Sequence, residues 1–247
     1  MASTAYIRFY AELNDLLPPE SRQVTIAHTF FGQPSVKDLI ESLGIPHTEV
    51  DLILANGESV DFSYRVNDGD RISVYPVFEA FDISPLLQVR PEPLREPRFV
   101  LDAHLGKLAA YLRMLGFDTV YLNYSSDESL ANISVKEERI LLTRDRGLLK
   151  RSAVTHGYLV RADDPRLQVE EVLQRFDLSN KIQPFRLCMR CNVALRSAPA
   201  EGVKGKVPPR VREQVSEYRS CPECRRIYWK GSHYKKMAEF INRLKPE

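Results

Sequence analysis

No apolar run in the 247-residue chain approaches the roughly 18 residues that span a bilayer, which excludes a helical membrane protein. The start, Met1-Ala2-Ser3-Thr4-Ala5-Tyr6-Ile7-Arg8, lacks the basic end and long apolar core of a secretory leader, so a cytoplasmic protein is expected. Cysteine is scarce. There are only four, and none is left over once two Cys-x-x-Cys pairs are counted. No internal repeat or low-complexity tract stands out, which argues against a solenoid or a disordered chain.

What remains is an ordinary globular composition, 43% hydrophobic and 28% charged, long enough for two or three domains and a sizeable core. The net charge of +2 hides an asymmetry. Residues 1–80 hold 5 Lys and Arg against 12 Asp and Glu, whereas residues 181–247 hold 16 against 6. An acidic head and a basic tail imply different partners for the two ends. The basic tail can track a phosphate backbone, or it can be a solvated face that keeps a small domain soluble.

The central stretch, Arg98 to Arg151, reads as strand, helix, strand, helix, strand, the pattern of a parallel sheet. Phe99-Val100-Leu101 stops at Asp102, and a helical pattern from His104 to Leu115 is closed by Gly116. Thr119-Val120-Tyr121-Leu122 leads to Asp127 and Glu128. Ile140-Leu141-Leu142-Thr143 ends at Arg144-Asp145-Arg146. Gly157 to Arg161 is a fourth strand, followed by Asp163-Asp164-Pro165 and a helix to Phe176.

Ligands bind at the carboxyl ends of parallel strands, and Asp102, Asp127, Asp145 and Asp164 all follow apolar runs. Carboxylates gathered at one edge repel one another. Mg²⁺ or Mn²⁺ relieves that repulsion, and such a metal site can activate water against a phosphodiester. Each residue also has a simpler reading. Asp102, Asp145 and Asp164 can cap helices, and Asp127 or Glu128 can complement a helix dipole. Asp163 is the substitute for Asp164. Lys107, Arg144 and Arg146 lie near the acid groups, as phosphate-binding cations or as charge compensation. His104 reads as a surface residue, Arg113 as a structural mid-helix cation, and Asp118 as a turn residue at the opposite edge.

The runs Phe99 to Asp118 and Ile140 to Lys150 also resemble the Mut-seven C-terminal RNase family, which belongs to the PIN-like nucleases. The resemblance spans roughly residues 98 to 233 and includes the cysteines. It implies a metal-dependent ribonuclease, with RNA as substrate and a 5′-phosphate product.

Residues 4–77 read as a small α+β unit. Ser35, Asp38 and Gly44 bound a short helix, and Asn56-Gly57 and Asp68-Gly69 mark turns between strands. The order looks like a ubiquitin-like β-grasp. Its tail, Val66 to Pro76, is similar to the end of the sulfur carriers of that fold. Those carriers need a free diglycine terminus, but this chain runs on without one, so carrier chemistry is rejected. A docking module with a protein partner and a stabilising appendage both remain. Residues 80–97, with four prolines, read as a stiff connector.

Cys188-Met189-Arg190-Cys191 and Cys221-Pro222-Glu223-Cys224 have the spacing of one structural Cys₄ zinc site. Four thiolates leave no open position for catalysis. Disulfides are the alternative, which a reducing cytosol disfavours. Asn192 and Arg225 stand where zinc ribbons often carry glycine, so an irregular second knuckle is expected. Tyr228, Trp229 and Tyr234 interleave with cations, either to stack on unpaired bases or to fill a small core.

The expected division is a β-grasp head at 1–79, a connector at 80–97, a PIN-like domain at 98–180 and a basic zinc-ribbon module at 181–247. Two functions follow from different classes. One is a metal-dependent ribonuclease. The other is a non-catalytic RNA- or ribosome-binding adaptor with a degenerate acid site.

Overall fold

A computed structural model of the chain describes residues 2–76, 97–203 and 205–244. The expected connector therefore lies outside the described residues, except for Pro97. In chain order the elements begin with β1 (Ser3–Phe9), β2 (Ile26–Phe30), α1 (Val36–Ser42), β3 (Leu52–Ala55), β4 (Glu58–Ser59) and β5 (Arg71–Tyr75). They continue with β6 (Phe99–Leu101), α2 (Gly106–Leu115), β7 (Thr119–Tyr121), α3 (Asp127–Lys136), β8 (Ile140–Thr143), α4 (Arg146–Leu149), β9 (Gly157–Leu159) and α5 (Pro165–Arg175). The tail holds β10 (Arg196–Ala198), α6 (Pro209–Arg212), β11 (Tyr218–Ser220), β12 (Ile227–Trp229) and α7 (Ser232–Leu244). The chain forms two compact units, Met1–Glu96 with Ser126–Leu159, and Pro97–Ser125 with Val160–Glu247.

In the first unit a five-stranded sheet runs in the order β2-β1-β5-β3-β4. β1 is parallel to β5 and antiparallel to β2, and β3 is antiparallel to both β5 and β4. This is a β-grasp head. Alternation along β1 buries Ala5, Ile7 and Phe9 and leaves Tyr6 and Arg8 outside, as a half-buried strand requires. α1 supplies Val36, Leu39 and Ile40 to the same core. It starts at the expected capping box, where Asp38 N donates to Ser35 Oγ at 3.1 Å and Ser35 N to Asp38 Oδ2 at 3.3 Å.

The same unit contains α3 and the parallel pair β8 and β9, joined through α4. The head is bonded into this part. Leu159 N donates to Glu49 Oε1 at 2.6 Å, and Arg146 Nη1 to the Leu16 carbonyl at 2.9 Å. Lys150 Nζ donates to the Glu41 carbonyl, and His47 bridges Glu41 and the Val154 carbonyl at 2.6 and 2.8 Å.

In the second unit β6 and β7 pair in parallel around α2, as a β-α-β element. Leu108 and Leu112 of α2 and Val169, Val172 and Leu173 of α5 are buried with all of β6. Phe99 meets Phe117 and Phe176 edge-on. α2 ends at Gly116, with φ +96°, where a Cβ would lie 2.1 Å from the Gln183 carbonyl oxygen. Glycine there lets the segment after α5 dock, with Gln183 N and Phe185 N donating to the Leu115 and Met114 carbonyls. β10, β11 and β12 form an antiparallel ribbon beside the cysteines. Trp229 packs on its small core of Val203, Val207 and Tyr218. No helix among the described residues is long and apolar enough to cross a membrane.

Candidate active site and metal centre

Each candidate carboxylate sits where a strand hands over to a helix, and three of them cap that helix. Asp102 follows β6 and accepts from Ala103 N at 2.5 Å. Asp145 follows β8 and accepts from Gly147 N at 2.7 Å. Asp164 caps α5 ahead of Pro165 and accepts from Arg166 N and Leu167 N at 2.8 and 3.3 Å. Asp127 is the first residue of α3, whose cap is Ser126, and both Asp127 and Glu128 are exposed. Asp127 and Asp145 belong to the first unit, Asp102 and Asp164 to the second.

Carboxylate oxygens are hard donors, but no three of these acidic residues form a group that could hold a metal among the described residues. Asp145 and Asp164 use Oδ1 for capping, and Oδ2 of each has no protein partner among the described residues. The capping reading and the metal reading therefore draw on different oxygens.

Of the three candidate phosphate-binding cations, Lys107 and Arg144 are exposed. Arg146 is already bonded to the Leu16 carbonyl of the β-grasp head. His104 is exposed. Arg113 is structural, as expected, but its partners are carbonyls rather than a carboxylate. Its Nε donates to Thr119 O at 2.9 Å, and its Nη1 to Met189 O and Arg190 O at 3.2 and 2.8 Å. Asp118 accepts from Asn192 Nδ2 at 2.5 Å, while Thr119 N donates to Asn192 Oδ1 at 2.9 Å. Arg113 and Asn192 thus tie the first knuckle to α2 and β7. Nothing in the spacing of these residues foretold that tie, since a mid-helix Arg and a knuckle Asn are 79 residues apart.

The four cysteines come together. Their sulfurs lie within 4.8 Å of one another, and they form the one such group of three or more potential ligands among the described residues. Cys188 Sγ and Cys224 Sγ are 3.7 Å apart. That is too long for a disulfide and close to the roughly 3.8 Å expected of two thiolates on a tetrahedral zinc with about 2.3 Å bonds.

Cys191 N and Cys224 N each point to the sulfur three residues earlier, at 3.4 Å. Asn192 and Arg225 follow with φ of +64° and +58°, and their N–H groups donate to Cys188 O and Cys221 O. The second knuckle is therefore as regular as the first, against expectation. Arg225 adopts the left-handed turn that its neighbours require.

Protons are unevenly held in the quartet. Burial pushes the Cys188 thiol up, but hydrogen bonds from Tyr228 and from the backbone at Cys191 and Arg190 outweigh it and bring it down to about 7. Cys191 is pushed up to about 12, by burial and by the adjoining Cys224 and Cys188. Like charges sharing a site separate in this way, and a bound cation removes the conflict. Tyr228 Oη lies 3.2 Å from Cys188 Sγ, so its hydroxyl serves the cluster. Burial and that sulfur raise its pKa. His233 is exposed and outside the quartet.

Fold and cysteines together define the class, an α/β protein with a β-grasp head and a cysteine-ribbon tail suited to structural zinc. Comparison with known families places it within that class. Residues 97–241 match the Mut7-C RNAse domain, and residues 2–82 match the Mut7-C ubiquitin domain. The first match covers more than half of the chain, and the protein belongs to the Mut7-C RNAse domain family. No curated protein matches it.

Proposed function

We propose that the protein hydrolyses RNA phosphodiester bonds with Mg²⁺ or Mn²⁺ held by Asp102, Asp127, Asp145 and Asp164. The match of residues 97–241 to an RNAse domain carries the reading. The aspartates at the ends of β6 and β8 support it, because acid groups there serve ligands as well as helix ends. Bound metal supplies an activated water and a counter-charge for the leaving oxygen. The carboxylates hold it, and the backbone bonds to Oδ1 fix Asp102, Asp145 and Asp164 in place. Lys107 and Arg144 bind the phosphate, with Arg146 dividing its reach between substrate and head. Zn²⁺ on Cys188, Cys191, Cys221 and Cys224 is structural. The working division is the β-grasp head at 1–79, the connector at 80–97, the nuclease at 98–180 and the zinc module at 181–247.

A second reading is a non-catalytic RNA-binding adaptor. It draws support from the capping roles of three of the four aspartates, each of which has a structural reason to be acidic.

The test is cleavage of labelled single-stranded and structured RNA by zinc-loaded protein, with and without added Mg²⁺ or Mn²⁺. Loss of a metal ligand costs at least as much as loss of its supporting partner, so Asp102→Asn and Asp145→Asn should each lower the rate by about 10–100-fold or more. Zinc content and folding stay unchanged. Cleavage by both variants at the rate of the unaltered protein would remove the proposal. Salt-sensitive RNA binding without cleavage in any metal would favour the adaptor.

A further inference from the structure

The second unit carries a cavity of about 750 Å³ between α2, the end of β7 and the first zinc knuckle. Its walls include Arg113, Tyr121, Asn123, Arg190, Arg226 and Tyr228. The volume lies in the range of small-ligand sites. The chemistry is uneven in a telling way. Arg190 and Arg226 are exposed cations, and neither guanidinium has a hydrogen-bond or ion-pair partner among the described residues. Arg113 adds a buried third cation. There is no acidic residue in the lining.

The aromatic walls are held still. Tyr228 is anchored through its hydroxyl beside Cys188 Sγ, at 3.2 Å. Tyr121 Oη donates to the Ala103 carbonyl at 2.9 Å, in the turn that follows Asp102. Gly106 makes room for that hydroxyl, since a Cβ there would lie 2.7 Å from it. Asn123 brings a neutral amide that is able to donate and accept. Tyr124, the next residue, is fully exposed, an aromatic ring left entirely in water.

We propose that this cavity is a nucleotide subsite for single-stranded RNA, reached from the Asp102 turn. Arg190 and Arg226 take phosphate oxygens, Tyr121 and Tyr228 face the base or ribose, and Asn123 meets a polar edge. Unpartnered cations beside fixed aromatic rings are the elements of single-strand binding. An acidic peptide would satisfy the cations but would leave the rings and the amide without a role. The inference rests on the ribonuclease reading for its substrate. It extends that reading by giving the zinc module a part in holding the strand next to Asp102. Zinc on four thiolates would have no open position for RNA and would act only through the knuckle that forms the wall.

The experiment measures binding rather than cleavage, so its failure is distinct from failure of the nuclease reading. A fluorescent single-stranded RNA pentamer is titrated with full-length, zinc-loaded protein without added Mg²⁺ or Mn²⁺. Arg190→Ala with Arg226→Ala should weaken binding about tenfold or more and flatten the salt dependence by the equivalent of roughly one to two phosphate contacts. Lys235→Ala with Lys236→Ala removes the same charge from exposed positions of α7 and should change binding less than about threefold. A pentamer carrying 4-thiouridine should photocrosslink to the peptides holding Tyr121 or Tyr228 in the unaltered protein. Equal weakening by both double variants would reduce the effect to overall charge and overturn the proposal. So would unchanged binding in Arg190→Ala with Arg226→Ala, crosslinks confined to other peptides, or no binding of the pentamer.

Discussion

Arg225 shows how a single residue bears the cost of a shared geometry. The knuckle needs its N–H on Cys221 O, and that places φ at +58°. For a residue with a Cβ, the left-handed region costs about 1–2 kcal/mol. Asn192, at the matching position, is a residue type that tolerates it. Arg225→Gly should therefore stabilise the zinc-loaded protein by about 1 kcal/mol, read as a higher denaturant midpoint at unchanged zinc content. An unchanged or lower midpoint would mean that the arginine side chain offsets its own strain. The same scale explains Arg113. It is only 5% exposed, and burial lowers its pKa, while Cys188, Cys191 and Asp118 counter that effect. A guanidinium remains charged under such conditions because its pKa starts so high. Three backbone carbonyls use the fixed fork of its donors.

At the scale of elements, the β-grasp sheet is organised around Asp70, which leads into β5. Asp70 accepts from Asn67 N at 2.8 Å, Asn56 Nδ2 at 2.8 Å and Tyr64 Oη at 3.0 Å. Burial alone would raise its pKa, but these hydrogen bonds prevail and hold it below the ordinary value. The sign of the linkage follows. A carboxylate with a depressed folded pKa adds stability that is fully present above the unfolded value of about 3.9 and is lost as pH falls through the folded one. Asp70→Asn should lower stability at pH 7 by about 1–3 kcal/mol and flatten the stability profile below about pH 4. Denaturant titrations across pH 2–7 (roughly the range over which carboxylates protonate) would check both parts. A variant with an unchanged acid limb would show that other carboxylates govern it.

Elements were also the level at which the sequence was most legible. The Ser35–Asp38 capping box, the Asn56-Gly57 turn, the Gly116 stop and the strand patterns around Asp102 and Asp145 all follow from local chemistry, and each occurs where that chemistry places it. Local signals failed where a partner far along the chain decides. Asn192 looked like a knuckle residue alone, yet its side chain pairs with Asp118 and Thr119 N. Tyr228 offered a ring for stacking, and nothing local announced that its hydroxyl would also serve Cys188, 40 residues away.

At the scale of the whole molecule, the question is whether the β-grasp head is an appendage. In its unit, Glu49 is 1% exposed and caps the N–H of Leu159, while Arg146 and Lys150 donate to head carbonyls. Of these groups the Leu159 N–H is buried, and Glu49 satisfies it. The stabilising role thus has a physical basis, and a protein partner of the head would meet a surface other than these groups. Glu49→Ala should destabilise this unit by about 1–3 kcal/mol, and amide exchange should quicken in β9 as well as in β1 to β5. Quickening confined to the head strands would show that the head opens independently.

The sequence by itself determined the strand–helix alternation of residues 98–176, the placing of the aspartates between strands and helices, the pairing of the four cysteines and the division of charge between acidic head and basic tail. Those features depend on residue type, spacing and period, which act over a few residues. Only the tertiary structure decided that Arg146 binds the head, that the first knuckle is bound to α2 through Arg113 and to the start of β7 through Asn192, and that Arg190, Arg226, Tyr121 and Tyr228 share one cavity. These relations join residues far apart along the chain. They arise because buried carbonyls, amides and cations must find partners wherever packing brings them.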